Sequence, residues 1–176
     1  MKKVVKFGGS SLASAEQFMK VGAIIRADES RRYVVPSAPG KRFSDDTKVT
    51  DMLYHCYELA EQSKAFNKQL NQIKDRYNEI INGLKLDFSL DEDFEIIKKQ
   101  FVAKAGSMYA ASRGEYLNGK IMAKYLGYEF VDAANVIRFN KDGSFDSETT
   151  NELLATYLDK IERAVIPGFY GAMKNG

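Results

Sequence analysis

Hydrophobic positions along the chain fall into short runs separated by helical stretches. Val4, Val5 and Phe7 form an apolar run that ends on Gly8-Gly9-Ser10-Ser11. Phe18, Val21, Ile24 and Ile25 then recur at helical spacing between Ser14 and Ala27, and Ser14 is suited to the N-cap. From Arg32 to Val35 a β-rich run follows, broken at once by Pro36-Ser37-Ala38-Pro39-Gly40-Lys41. Strand, helix, strand is the expectation. A right-handed crossover of this length makes the two strands parallel and brings Lys6–Gly9 and Ser37–Gly40 to one edge of the sheet. Open α/β sheets bind ligands at that edge.

After Thr50 the spacing becomes helical. Leu53, Cys56, Tyr57 and Leu59 predict a helix from Met52 to about Gln62, with Thr50 near its start as an N-cap. Residues 65–84 and 92–105 read as two exposed amphipathic helices, joined by a turn through Asn82-Gly83 and capped by Ser89 or Asp91. Their mixed charges suit a solvated face; a partner-binding hairpin is the alternative. Residues 107–126 predict a further helix, Tyr128–Asp132 and Val136–Phe139 two strands, Lys141–Ser144 a tight turn, and 149–162 a helix. Ala164 to Gly171 reads as a last buried strand breaking into a loop. This alternation predicts an α/β fold with a mostly parallel sheet and helices on both faces.

Composition narrows the classes. A chain of 176 residues, 44% hydrophobic, reads as one domain with its own core. No run approaches membrane-spanning length, and the strand begins directly after Lys2-Lys3, so neither a membrane partner nor a signal peptide is expected. One cysteine, Cys56, fits a reducing cytoplasm and a buried, unreactive role. A net charge of +2 argues against a nucleic-acid partner, and lone His55 and Cys56 build no metal shell.

The candidate chemistry lies in the first turn. A strand ending on a lysine that opens through glycines and hydroxyls toward a helix suits phosphate: glycine admits close approach, helix amides point at oxyanions, and Lys6 supplies charge. It is not a Walker pattern, since the lysine precedes the glycines. A plain steric and capping turn remains the competing explanation, as does an ordinary surface lysine for Lys6.

Lys6-Phe7-Gly8-Gly9-Ser10-Ser11-Leu12-Ala13, Val34-Val35-Pro36-Ser37-Ala38-Pro39-Gly40-Lys41, Lys48-Val49-Thr50-Asp51-Met52-Leu53, Ser112-Arg113-Gly114-Glu115 and Val165-Ile166-Pro167-Gly168-Phe169-Tyr170-Gly171 together resemble the ordered motifs of aspartokinases. The resemblance implies the amino-acid kinase fold and transfer of the ATP γ-phosphoryl group to the side-chain carboxylate of L-aspartate, with Mg2+ accompanying ATP in the complete enzyme. It implies Lys6 as the catalytic cation, and Lys6, Gly8, Gly9, Ser10 and Ser11 as phosphate-binding positions. Ser37 and Thr50 match aspartate-side hydroxyls, Thr47 being a rival to Thr50. Glu115 matches the acid that meets the substrate ammonium; alone, it also reads as an exposed glutamate paired with Arg113 or Lys120. Phe169 is expected to close over the site, and replacement of Gly9 to harm nucleotide use more than folding.

The family's Gly-Gly-Ser-Asp segment does not follow before Gly176. The expectation is therefore an N-terminal, amino-acid-binding lobe over residues 1–176 with a helical excursion at about 60–105, lacking the nucleotide lobe and regulatory domain and inactive alone. A homo-oligomer stays open. So do two other readings: a different kinase of the same fold, for carbamate or glutamate, and a non-catalytic anion-binding or interaction module.

Overall fold

The structure, a computed structural model, describes residues 1–173. Strands β1 (Lys3–Phe7) and β2 (Arg31–Pro36) flank helix α1 (Ala15–Arg26), which begins where the Ser14 hydroxyl accepts the Gln17 amide at 3.4 Å. The strands are parallel, with Lys6 opposite Val35 and Phe7 opposite Pro36, so their carboxyl ends share one edge as expected. Next come α2 (Val49–Glu61), α3 (Asn67–Gly83), α4 (Asp91–Val102) and α5 (Ser107–Leu126). The chain continues through β3 (Glu129–Phe130), α6 (Ala133–Val136), β4 (Arg138–Phe139), α7 (Ser147–Asp159), β5 (Ala164–Val165) and β6 (Ala172–Met173). The main sheet, ordered β1-β2-β5-β3, is parallel throughout; β4 and β6 form a separate parallel pair.

Helices cover both sides of the sheet unequally. On one side Val34 and Val165 join Phe18, Leu53, Ile73, Tyr77, Phe101 and Ile121 in the main core, built by α1 to α5. On the other, Tyr33, Val131, Val136 and Ala164 meet Leu153, Leu154 and Leu158 of α7. That cover stops short of β1, where Val4 is 68% exposed.

Several boundaries depart from the pattern read along the sequence. The strand expected at Val136–Phe139 starts late: the Asp132 carboxylate accepts the Ala134 amide at 3.0 Å and opens the short α6, which takes Val136 and leaves Arg138–Phe139 as the strand. Local side-chain bonding overrides β propensity there. Beyond Ile166, Pro167 offers no N–H to a ladder, and the predicted last strand ends at Val165. The Asn82-Gly83 turn is helix, because a Cβ at Gly83 would lie 2.5 Å from that of Ala15 and glycine lets α3 approach α1. The chain turns later, at Lys85, with φ of 54°. Ser89 accepts the Asp91 amide at 3.1 Å, although Leu90 holds the N-cap position of α4. Nor is Thr50 an N-cap: α2 starts at Val49, and Lys48 precedes it without a side-chain cap bond.

The two charged helices are exposed on one face only. Their stripes of Leu70, Ile73, Tyr77, Ile80, Ile81, Phe94, Ile97 and Phe101 are all buried in the main core. Each such side chain contributes about 2 kcal/mol through removal from water. Cys56 is likewise buried, and burial pushes its thiol up to about 12.

Candidate active site

At the carboxyl edge of the sheet, the loops after β1 and β2 lie against each other. The Gly40 amide donates to the Gly9 carbonyl at 2.8 Å and the Ser37 amide to the Phe7 carbonyl at 3.0 Å. A Cβ at Gly9 would stand 2.8 Å from the Ala38 carbonyl oxygen, and one at Gly40 would stand 2.7 Å from the Gly9 carbonyl carbon. Both glycines are thus required for the loops to touch. Replacement of Gly9 therefore also disturbs the packing of the site's own loops. Gly8 differs, with open space around it. A 3-10 turn (Gly9–Leu12) separates the glycines from α1, whose first turn is capped by Ser14, so the amides near the strand end belong to the turn and not to the helix.

Between these loops and α5 opens a cleft of about 480 Å3. Gly9 and Ser10 line it from the first loop, Ser37 to Lys41 from the second, Lys48 and Thr50 from the start of α2, and Glu115 from α5. Ser37, Thr50 and Glu115, singled out separately along the sequence, converge here. Thr47 does not; it lines a neighbouring cleft with Arg42, Asp51 and His55. Lys6 sits at the end of β1, exposed, and its charge bears on Glu115. Among the described residues its ammonium makes no hydrogen bond or ion pair within the chain.

Glu115 is 7% exposed and pairs with neither Arg113 nor Lys120. Arg113 lies over the rings of Tyr109, Tyr116 and Tyr170 at 4.4 to 5.4 Å, and Lys120 binds Asp93 at 2.7 Å. One Glu115 oxygen accepts the Ala38 amide at 3.2 Å; the other is buried with no partner. Burial raises the pKa of this carboxyl, against the opposing pull of the Ala38 amide, its own backbone amide and the Lys6 charge. Neighbours fix the helix around it: the buried Tyr77 hydroxyl donates to the Gly114 carbonyl at 2.8 Å. One turn on, the Asn118 amide donates to the Ser37 carbonyl at 2.7 Å.

The arrangement is a positive cleft with one buried acid. Lys41 and Lys48 line it and favour an anionic ligand, Lys6 stands outside the lining at the end of β1, and Glu115 offers a single place for a cationic group. Lys48 and Asn118 were missed in the sequence. Lys48 was signalled only by its place directly before Val49-Thr50, and Asn118 by its position three residues beyond Glu115. Phe169, expected over the site, lies elsewhere: 63% exposed and with φ of 74°, it lines an apolar cleft with Val4, Val35 and Ile137. The cleft offers Mg2+ no cage, because Glu115 is its one acid and is half engaged by Ala38.

With this fold and cleft, the chain belongs to the amino acid kinase family, whose profile matches residues 1–176. Within that family the proteins it resembles are aspartokinases. It is 34% identical over 188 residues to aspartokinase 3 of Bacillus subtilis, covering 99% of this chain and 41% of that protein. The aspartate kinase of Clostridium acetobutylicum superposes with a TM-score of 0.96 at 48% identity, over 100% of this chain and 41% of that one. Aspartokinase III of E. coli, crystallised with aspartate and ADP, shares the fold at a TM-score of 0.80 and 22% identity, over 100% of this chain and 42% of its own. The chain therefore spans about two fifths of the length of these relatives. No helix among the described residues is long and apolar enough to cross a membrane.

Proposed function

We propose that this chain is the amino-acid-binding part of an aspartokinase, which transfers the γ-phosphoryl group of ATP to the side-chain carboxylate of L-aspartate as the first step toward lysine, threonine and methionine. The observation that carries the reading is the unpartnered, buried oxygen of Glu115 in a cleft otherwise lined by lysines and hydroxyls. A buried charge without a partner is unfavourable, and the α-ammonium of an amino acid supplies one. Ser37 and Thr50 hold the aspartate side of the cleft.

The transfer itself brings two anions together, so neutralisation and positioning dominate. A side-chain carboxylate oxygen attacks the γ-phosphorus, the bond to the β-phosphate oxygen breaks, and ADP leaves with the electron pair. No proton needs to be removed, because the carboxylate is ionised at neutral pH. Lys6 stands between carboxylate and phosphate oxygens and offsets their repulsion, while Gly8, Gly9, Ser10 and Ser11 gather phosphate oxygens with amides and hydroxyls. The adenine and α-carboxylate sites belong to the remaining part of the enzyme, so the chain alone turns over negligibly, in the cytoplasm as elsewhere.

A chimaera tests the proposal. Residues 1–173 replace the matching part of the Clostridium acetobutylicum enzyme, and hydroxylamine traps the acyl phosphate. Aspartyl hydroxamate that vanishes with Lys6→Met supports it. A folded chimaera that acts on L-glutamate or carbamate instead, or on no carboxylate, refutes it.

A further inference from the structure

The loop that walls the cleft is tied down from outside it. Residues 39–49 close at the neck, where the Val49 amide donates to the Pro39 carbonyl at 3.2 Å. Both ends of the loop line the cleft, but its middle leans on α3, the helical excursion. Arg76 of α3 is 5% exposed; its guanidinium donates to the Asp46 carboxylate at 2.6 Å and to the Gly40 carbonyl at 3.1 Å. Asp46 in turn accepts the backbone amide and guanidinium of Arg42 at 2.9 Å, and Arg42 reaches back to Glu79 of α3 at 2.7 Å.

We infer that Arg76 is a positioning residue: one fork holds the cleft-lining end of the loop at Gly40 and its middle at Asp46, and so sets Lys41, Lys48 and Thr50 about the substrate. The consequence for substrate rests on the reading above; the clamp on the loop does not. A planar guanidinium serves two acceptors at fixed geometry, and a lysine ammonium does not. Gly40 adds the reason for rigidity, because its carbonyl is gripped by Arg76 while its amide bonds Gly9, so movement here shifts both cleft-forming loops. The charged helices accordingly anchor the site, and Tyr77, one position beyond Arg76, holds the Gly114 carbonyl beside Glu115.

Hydrogen exchange on the whole chain tests the clamp. Arg76→Ala is expected to speed amide exchange across residues 40–49 by about tenfold while the sheet and α5 keep their protection, because the released unit is local. Arg76→Lys should restore protection near Asp46 and leave the Gly40 end loose, a pattern that a merely structural loss does not produce. Should Arg76→Ala fail to fold, Asp46→Asn releases the same loop from its other side with little change of shape. L-Aspartate titrated into the same proteins is expected to bind about tenfold more weakly to the loosened variants. A loosened loop in a protein that never binds aspartate upholds the clamp and removes the proposed function. Unchanged exchange over 40–49 in both Arg76→Ala and Asp46→Asn overturns the clamp.

Discussion

Two buried carboxylates, Asp93 on α4 and Glu115 on α5, have opposite fates. Asp93, 7% exposed, receives the Lys120 ammonium at 2.7 and 2.8 Å and the Tyr116 hydroxyl at 3.1 Å. Its charge is answered within the chain. Glu115, equally buried at 7%, has one backbone amide and an orphaned oxygen. The first acid joins α4 to α5; the second lines the cleft with one oxygen unpartnered. Burial alone therefore does not distinguish a structural acid from a recognition acid, whereas satisfied hydrogen-bonding capacity does.

Breaking that contrast from the recognition side has the largest expected effect. Glu115→Gln should weaken L-aspartate binding by about 3 kcal/mol, more than a hundredfold, with no loss of thermal stability, as calorimetric titration and melting would register together. The structural acid responds in reverse. Asp93→Ala should lower unfolding free energy in urea by about 2 kcal/mol, less than for a fully buried pair because Lys120 is partly exposed, and leave aspartate affinity within about twofold. Lys48→Met tests the positive rim: a loss of about tenfold in affinity, shrinking as salt is raised, is expected from binding curves at two ionic strengths.

The smallest effect is one of pH. Because burial raises the Glu115 pKa, the folded chain holds this proton more tightly than the unfolded chain does. Between the ordinary carboxylate range and the raised value, stability of the unliganded protein thus falls as pH rises. Aspartate binding runs the other way, lost as pH drops through the raised value. Glu115→Gln should flatten both profiles.

Much of this contrast was legible in advance, and the remainder was hidden for identifiable reasons. Glu115 could be singled out through Arg113-Gly114-Glu115, and the neighbouring strand ends through the β1-α1-β2 spacing. A pairing of Glu115 with Arg113 or Lys120 fails on helix geometry: they lie two residues before and five after it, off its face of α5, and the tyrosine rings take one and Asp93 the other. Thr47 and Thr50 are separable only once the start of α2 is fixed, and Asp45, Asp46 and Thr47 offer several competing N-caps, none of which α2 uses. Arg76 was invisible for a related reason. On a helix rich in Asn, Lys and Gln, nothing local marks the one arginine that turns inward to a loop thirty residues earlier.

The most direct test of the central claim follows the Ala38 amide by NMR, since it donates to Glu115 at 3.2 Å and reports on that carboxylate. Titration with L-aspartate should shift Ala38 together with Ser37 and Thr50, and N-acetyl-L-aspartate, which lacks the ammonium, should leave Ala38 in place. Equal shifts with both compounds, or none near Glu115 with either, would contradict an acid poised for the amino group of a substrate.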